Sequence, residues 1–378
     1  MGERQARAIW EITLKCNLSC LHCGSRAAKS RAQELSTEEA LDLVRQLTEV
    51  GIDEVALIGG EAFLRRDWLE IAAEVVRRGM LCTMVTGGYG ISPKLAEKMQ
   101  KAGILQCSVS IDGLEETHDY LRGKKGSWKS ALQSIENLEN AGIVTTCNTQ
   151  INRLSSPELF DIYELLRAAN IKAWQIQMTV PMGNAADNWE ILLQPFEFLE
   201  FYPRLAKLAV QAKEDGIWLI PGNNVGYFGP YERLLRGGKV WTFWTGCKAG
   251  LNSLGIEADG VIKGCPSLPT NPYTGGNIRE KPLREIIEKS EELNFNKDSS
   301  TEHLWGFCKT CEYAEICRGG CSWTAHTFFG RRGNNPYCHH RALEHQKRGK
   351  RERVVLKTKA QGLPFDYGEF ELIEENLI

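Results

Sequence analysis

Short apolar runs alternate with longer amphipathic stretches along the first 214 residues of the chain. The runs are rich in Val, Ile and Thr and are often bounded by glycine, which is typical of buried strands. They predict six strands, at residues 9–14, 54–58, 81–85, 106–111, 144–151 and 173–179. The stretches between them predict six helices, at residues 37–50, 68–78, 93–102, 128–141, 157–169 and 195–214. This alternation predicts an α/β fold with a parallel sheet, and six units favour a partial, TIM-like (β/α)6 barrel over a closed eightfold one.

Glycines and chemically useful side chains fall where the predicted strands end. In a barrel of parallel strands the carboxyl ends meet at one rim, and active sites are built there. The positions at this rim are Cys16, Gly59, Thr86, Ser110, Asn148 and Pro181. Their coincidence predicts a functional site at the rim.

Three cysteines follow the first predicted strand at the spacing CxxxCxxC, namely Cys16, Cys20 and Cys23. Three thiolates on one short loop can hold three irons of a cubic 4Fe-4S cluster and leave the fourth iron open. A structural zinc ion normally takes four ligands, and the nearest other candidate, His22, lies between two of the cysteines. A cluster with an open iron is therefore the favoured interpretation, and a zinc site is the alternative.

This triplet, followed by Gly59-Gly60-Glu61 after the second predicted strand, resembles the radical S-adenosylmethionine (SAM) superfamily. The resemblance implies that the three cysteines bind the cluster and that SAM chelates the open iron. Transfer of one electron would cleave SAM to methionine and a 5'-deoxyadenosyl radical, which abstracts hydrogen from an unactivated C–H bond. It also implies that the partial barrel is a radical SAM barrel.

The resemblance further implies a set of SAM-binding residues. Glu61 would pair with the SAM ammonium, Ser110 would reach the ribose or carboxylate, and His22 would pack near the adenine. The expected residues are His22, Gly59, Gly60, Glu61, Thr86, Ser110 and Asn148. Structural alternatives stay open, because paired glycines and Asp112-Gly113 suit tight turns and a single histidine is often structural. No catalytic base is assigned.

Seven further cysteines form a second pattern in the last third of the chain. They resemble the SPASM domain, a small cysteine-rich α+β unit with two auxiliary Fe-S clusters. The seven are Cys247, Cys265, Cys308, Cys311, Cys317, Cys321 and Cys338. Between them, residues 254–265 predict a β-hairpin turned at Asp259-Gly260, and residues 282–293 predict one helix.

By this resemblance the seven cysteines divide into two ligand sets. A fully ligated second auxiliary cluster would be held by Cys308, Cys311, Cys317 and Cys338. The first auxiliary cluster, nearer the active site, would be held by Cys247, Cys265 and Cys321. Some relatives have an eighth cysteine shortly after the first, but residues 248–257 contain none. The first auxiliary cluster is therefore expected to have an open iron, a non-cysteine ligand or fewer irons.

The length of 378 residues exceeds one typical core and predicts more than one domain. The expected divisions are a barrel at 1–214, a bridge at 215–246, a SPASM domain at 247–340 and a charged tail at 341–378. The bridge contains Trp241 and Trp244 and either links the domains or lines a substrate groove. The tail either folds back on itself by charge pairing or docks a peptide leader.

Charge and hydropathy exclude several classes of protein. A net charge of -2 with 25% charged residues argues against a nucleic-acid partner. No apolar run approaches the roughly 18 residues of a membrane span and no secretory signal is apparent, so we expect a cytoplasmic protein with no membrane partner. Thirteen cysteines in that compartment indicate metal binding rather than disulfides, with Cys82, Cys107 and Cys147 as core residues.

Three functions remain open at this point. SPASM relatives mostly activate a C–H bond in a ribosomally made peptide, so the favoured prediction is an oxidative maturase of a precursor peptide, with flavodoxin or ferredoxin as reductant. A first strand near residue 9 leaves no room for a separate leader-binding domain, which weighs against a peptide. The first alternative is modification of a cofactor precursor, such as a tetrapyrrole side chain. The second is a non-enzymatic electron carrier, which needs neither a barrel nor an open-iron triplet.

Overall fold

The computed structural model describes residues 6–237, 243–297 and 300–377. A ten-stranded sheet organises the chain, with strands at Arg7–Glu11 (β1), Glu54–Ile58 (β2), Leu81–Thr86 (β3), Ile104–Ser110 (β4), Val144–Ile151 (β5), Ala173–Met178 (β6), Trp218–Pro221 (β7), Ser253–Ile256 (β8), Val261–Lys263 (β9) and Thr274–Asn277 (β10). Their order is β10-β9-β8-β1-β2-β3-β4-β5-β6-β7. Strands β1 to β7 and β8 are parallel, whereas β9 and β10 are added antiparallel.

Helices follow the parallel strands and pack on the sheet. They lie at Thr37–Glu49 (α1), Trp68–Arg77 (α2), Pro93–Lys101 (α3), Glu115–Arg122 (α4), Ser127–Asn140 (α5), Leu159–Ala168 (α6), Asn184–Asp187 (α7), Phe198–Glu214 (α8) and Glu232–Leu235 (α9). The start of α1 is fixed by a capping box between Ser36 and Glu39. Alternate strand residues such as Trp10, Val109 and Trp174 are fully buried in the same core as the helices. The predicted parallel α/β architecture is confirmed.

The first strand is shorter than predicted. It ends at Glu11, because the backbone N–H of Leu14 donates to the Glu34 carboxylate at 3.0 Å and not to the sheet. The carbonyl of Thr13 instead accepts from the N–H of Gly60 at 2.8 Å. The segment before the first cysteine therefore leaves the ladder and packs on the loop after β2.

The predicted bridge contributes a strand to the barrel. β7 lies within it and pairs in parallel with β6. Trp244 packs on Tyr227 with ring centroids 5.3 Å apart and is buried beside Cys321. Trp241 lies outside the described residues.

The cysteine-rich region continues the barrel sheet through β8, which pairs directly with β1. The predicted hairpin is present as β8 and β9, and Gly260 at its turn has φ of +88°. The predicted helix at 282–293 is wrong in one respect, since Ser290 adopts extended angles and divides it into Leu283–Lys289 and Glu291–Asn294. Other helical segments are Thr270–Tyr273, which is kinked, Phe307–Thr310, Ala314–Cys317 and Ser322–Phe329.

The end of the chain forms a helix, His339–Lys347, and an antiparallel hairpin of Lys350–Thr358 (β11) and Glu369–Asn376 (β12). Opposite charges pair across the hairpin, as between Arg351 and Glu375 at 2.8 Å. The hairpin is also anchored to the core, because Val354 is fully buried and its backbone N–H donates to Gln194 at 2.7 Å. Within the described ranges, no helix is long and apolar enough to cross a membrane.

Candidate functional site

The cysteine loop after β1 is held against the loop after β2 by close backbone contact. The N–H groups of Gly60 and Glu61 donate to the carbonyls of Thr13 and Lys15, both at 2.8 Å. A Cβ atom on Gly59 or Gly60 would lie 2.3 Å from one of these carbonyl oxygens. Only glycine fits at both positions, so the Gly-Gly pair fixes where Glu61 lies relative to the first cysteine.

The carboxyl end of α4 fixes the middle of the cysteine loop. The N–H of Ser19 donates to the carbonyl of Arg122 at 3.1 Å, and the N–H of Leu21 donates to that of Leu121 at 2.8 Å. Gly123 ends the helix with φ of +60°, and a Cβ there would lie 2.4 Å from the Ser19 carbonyl oxygen. These contacts flank Cys20 on both sides, so the last turn of α4 lies beside the second cysteine.

The three thiols of the loop lie close enough to influence one another. Burial raises the pKa of Cys20 to about 12, the Arg122 charge opposes that rise, and charge on Cys23 and Cys16 adds to it. Burial also raises the pKa of Cys16 to about 11. Thiols in such an environment ionise readily only when they coordinate a metal.

Glu61 is a buried carboxylate beside this loop. It accepts hydrogen bonds from the Thr86 hydroxyl and the Gly87 N–H, both at 2.6 Å. Burial nonetheless raises the pKa of Glu61 to about 7. The nearby charge of Arg122 opposes this shift in the pKa of Glu61.

A buried charged group that the sequence did not reveal lies directly behind the cysteine loop. Asp112 is fully buried, and its Oδ2 lies 2.5 Å from Arg122 Nη2 and 3.0 Å from His22 Nε2. Arg122 in turn places Nη1 3.8 Å from the Cys20 sulfur. The available sequence signal is a carboxylate two residues after β4, but Asp112-Gly113 also suits a tight turn, so the sequence alone does not assign it a role.

The other predicted SAM-binding residues lie on two sides of this region. Thr86 is buried and bonded to Glu61. Ser110 ends β4 and lies opposite Asn148, and both are half-buried. Asn148 lies inside β5 and not at the strand end where it was expected. The side chain of His22 is 5% exposed and contacts Asp112. The structure therefore brings Glu61, Thr86 and His22 to the cysteine loop, with Arg122 and Asp112 as additions.

Four of the SPASM cysteines line one cavity, namely Cys308, Cys311, Cys317 and Cys338. Aromatic side chains close its walls, including Phe228, Phe307 and Tyr313. Phe228 and Tyr313 stack with centroids 4.3 Å apart. A cavity with four thiols and an apolar wall fits the second auxiliary cluster.

The other three SPASM cysteines form a separate group. Burial raises the pKa of Cys321 to about 12, and charge on Cys247 and Cys265 adds to the rise. Tyr273 lies close to this group and hydrogen-bonds to His326 at 3.0 Å.

All thirteen cysteines of the chain are free thiols. In the described ranges, no three His, Cys, Asp or Glu side chains converge closely enough to hold a single metal ion.

The loop between β11 and β12 contacts residues near the cysteine triplet and residues near the group of Cys247, Cys265 and Cys321. Asp366 accepts a hydrogen bond from Arg26 at 2.8 Å, just after the cysteine triplet, and its carbonyl accepts from Gly183 at 2.8 Å. The next residue, Tyr367, bonds to His326 through its hydroxyl at 2.9 Å. One short segment thus connects the residues after the cysteine triplet with His326, whose partner Tyr273 lies near Cys247 and Cys321.

The inner face of β4, β5 and β6 carries polar side chains without charge. Buried residues such as Val109 and Trp174 point to the helices, so the alternate residues face the barrel interior. From position 106 onward these are the uncharged polar residues Gln106, Ser108, Ser110, Thr146, Asn148, Gln150, Gln175 and Gln177, together with the apolar Val144 and Ala173. Gln150 and Gln177 bond to each other at 3.1 Å.

Known proteins share both the fold and the cysteine pattern. The Radical SAM superfamily model matches residues 10–155, and the model of the SPASM iron-sulfur cluster-binding domain matches residues 247–312. The AdoMet-dependent heme synthase of Nitratidesulfovibrio vulgaris is 31% identical over 343 residues, covering 85% of this chain and 88% of the relative. The PqqA peptide cyclase of Rhizobium meliloti is 27% identical over 360 residues, covering 94% of this chain and 90% of the relative. The solved structure of anSMEcpe with bound AdoMet has a TM-score of 0.71 at 17% identity, covering 89% and 95%.

The chain belongs to the radical SAM superfamily and carries a SPASM region. It is a radical SAM enzyme whose cofactors are a 4Fe-4S cluster, SAM and auxiliary Fe-S clusters.

Proposed function

We propose that this enzyme is a maturase that oxidatively modifies a ribosomally synthesised peptide by C–H activation. Cys16, Cys20 and Cys23 would hold the SAM-cleaving cluster. The two auxiliary sets would be Cys247, Cys265 and Cys321, and Cys308, Cys311, Cys317 and Cys338. In the cytoplasm, flavodoxin or ferredoxin would supply the electron.

The uncharged inner face of β4, β5 and β6 is the observation that carries the peptide assignment. Asn and Gln side chains each offer a donor and an acceptor, which matches the N–H and C=O groups of a peptide backbone. A tetrapyrrole carries carboxylates, and burying a carboxylate requires a cation or several hydrogen-bond donors. None of the interior positions from 106 onward on these strands is charged. Such a lining suits an extended peptide better than a polyanion.

The residues beside the cysteine loop fit SAM. When bound, the 4Fe-4S cluster with SAM supplies the 5'-deoxyadenosyl radical, and the auxiliary clusters supply electron-transfer centres. Glu61, held by Thr86 and Gly87, would accept a hydrogen bond from the SAM ammonium. Arg122 has a buried Nε–H without a hydrogen-bond partner among the described residues, and it would donate to the SAM carboxylate.

Modification of a tetrapyrrole is the second candidate. It is supported by the 31% identity to a relative named AdoMet-dependent heme synthase over 85% of this chain. That likeness extends through the barrel and the SPASM region together. The two candidate substrates differ in charge, because a tetrapyrrole would bring carboxylates into the barrel interior and a peptide backbone would not.

Anaerobic co-expression with a short peptide encoded beside its gene tests the proposal. We expect mass spectrometry to show loss of hydrogen from the peptide, and no loss with the triple Cys16→Ala, Cys20→Ala, Cys23→Ala variant. An unchanged peptide together with conversion of a propionate-bearing tetrapyrrole would replace the proposal by the second candidate.

A matched pair of variants tests the interior face itself. Gln150→Leu removes one polar group from the barrel interior, and loss of one hydrogen bond should lower the peptide modification rate by about tenfold. Gln133→Leu, on the exposed side of α5, is the control and should leave the rate unchanged. Equal rates for the two variants would contradict the role of the interior amides.

A further inference from the structure

We propose that Asp112 is a positioning residue that sets the charge around the SAM-cleaving cluster. It holds Arg122 against the sulfur of Cys20 and binds His22 in the cysteine loop. The inference rests on ligation of the cluster by Cys16, Cys20 and Cys23, and it is independent of the substrate.

Both carboxylate oxygens and the backbone N–H of Asp112 have partners. One carboxylate oxygen, Oδ2, contacts Arg122 at 2.5 Å and His22 at 3.0 Å. The other, Oδ1, accepts from the N–H of Gln150 at 2.8 Å, and the Asp112 N–H donates to His118 at 3.2 Å. A residue that only closed a turn would not need a fully buried carboxylate paired with a buried arginine.

Arg122 connects Asp112 to the cysteine loop. Its side chain is 9% exposed, its Nη2 pairs with Asp112, and its Nη1 lies 3.8 Å from the Cys20 sulfur. A buried charge interacts strongly with its neighbours because little water screens it. The N–H donor therefore acts on a ligand sulfur, and Asp112 determines both its position and the net charge that the sulfur experiences.

The charge of the pair has a predictable effect on the reduction potential. Reduction adds one negative charge to the cluster, so extra positive charge nearby favours the reduced state. The Asp112→Asn variant would keep the side-chain shape and leave the Arg122 charge uncompensated, which should raise the potential. Arg122→Gln would remove the cation and its N–H group beside Cys20, which should lower the potential.

Anaerobic redox titration followed by electron paramagnetic resonance separates these outcomes from a structural defect. The signal of the SAM-cleaving cluster is identified in the wild-type enzyme, as the one that changes on addition of SAM, and is then followed without SAM in each variant. We expect opposite shifts for Asp112→Asn and Arg122→Gln at wild-type iron content. Glu116→Gln removes one exposed carboxylate from α4 and should leave the potential unchanged.

Shifts in the same direction, or no shift, with the iron retained would overturn the proposal. If Asp112→Asn loses the cluster, the double variant Asp112→Asn, Arg122→Gln decides, because it removes both buried charges. Recovery of the iron in the double variant supports the pairing, and continued loss overturns it. Neither result bears on whether the substrate is a peptide.

Discussion

Arg26 pairs with Asp366 at 2.8 Å, although one follows the cysteine triplet and the other lies near the end of the chain. Arg26 also contacts Asp187 through its guanidinium. The pairing fastens the loop between β11 and β12 to the segment that follows the cysteine triplet. We therefore expect the C-terminal hairpin to shield the cysteine loop from water.

Breaking this pairing should make the clusters easier to extract. Asp366→Asn removes the negative charge that holds Arg26. It also weakens the hydrogen bonds that the side chain of residue 366 accepts from the N–H groups of Gly362 and Leu363. Loss of about 1.4 kcal/mol would increase local opening about tenfold. We expect iron release to a colorimetric chelator to accelerate by a similar factor. The control is Glu371→Gln, at an exposed pair on the same hairpin. Equal rates of iron release for both variants would show that the Arg26–Asp366 contact does not protect the clusters.

SAM binding should strengthen as pH rises from 6 to 8. Burial raises the pKa of Glu61 to about 7, so below that pH the carboxyl is mostly neutral and pairs poorly with an ammonium group. Glu61→Gln should remove this dependence and weaken binding at pH 8 by about 1.5 to 3 kcal/mol, or roughly tenfold to a hundredfold. Anaerobic calorimetric titration with SAM measures both effects.

The control for Glu61 is Glu54→Gln, at the opposite end of β2, where the carboxylate binds Thr83 and Arg7. It should retain the pH dependence. Wild-type affinity and wild-type pH dependence in Glu61→Gln would reject the assigned contact.

The buried pair of Arg341 and Glu352 should stabilise the C-terminal part of the enzyme. Burial acts to raise the pKa of Glu352, yet hydrogen bonds from His345 and Arg341 outweigh it and lower the pKa to about 2. A lowered pKa means that the carboxylate adds stability above about pH 4.5 and loses it as pH falls towards 2. Glu352→Gln leaves Arg341 buried without a counter-charge and should cost about 3 kcal/mol at pH 7.

Urea unfolding of the reconstituted enzyme at pH 7 measures this cost. Glu369→Gln, on an exposed part of β12, provides the comparison and should change stability little. A difference between the two variants below about 1 kcal/mol would show that the buried pair contributes no more than a surface pair.

The sequence predicted the barrel well because its signals are local. Strand and helix periodicity placed six strands and six crossover helices within a few residues, and Cys82, Cys107 and Cys147 lie fully buried as expected. β7 was missed because it has four residues and begins with an exposed Trp218. α4 was missed because its short, mostly polar sequence gives a weak apolar stripe.

The partners within the site depend on contacts between distant segments. Asp112 and Arg122 lie far in sequence from the cysteine loop, and only the docking of α4 on Ser19 and Leu21 brings them beside Cys20. No local pattern encodes that contact. The contact at Asp366 was likewise unpredictable: a basic stretch followed by an acidic one indicates that the tail folds back on itself, but not which part of the barrel it contacts.

The most direct measurement is 5'-deoxyadenosine formation by the anaerobically reconstituted enzyme under strong reductant. The triple variant Cys16→Ala, Cys20→Ala, Cys23→Ala should form none and should keep about two thirds of the iron, since each cluster site is local. The core variant Cys82→Ala, Cys107→Ala, Cys147→Ala is the control and should retain all three clusters to the extent that it folds. Unchanged SAM cleavage in the first variant, or zinc in place of its remaining iron, would contradict the account.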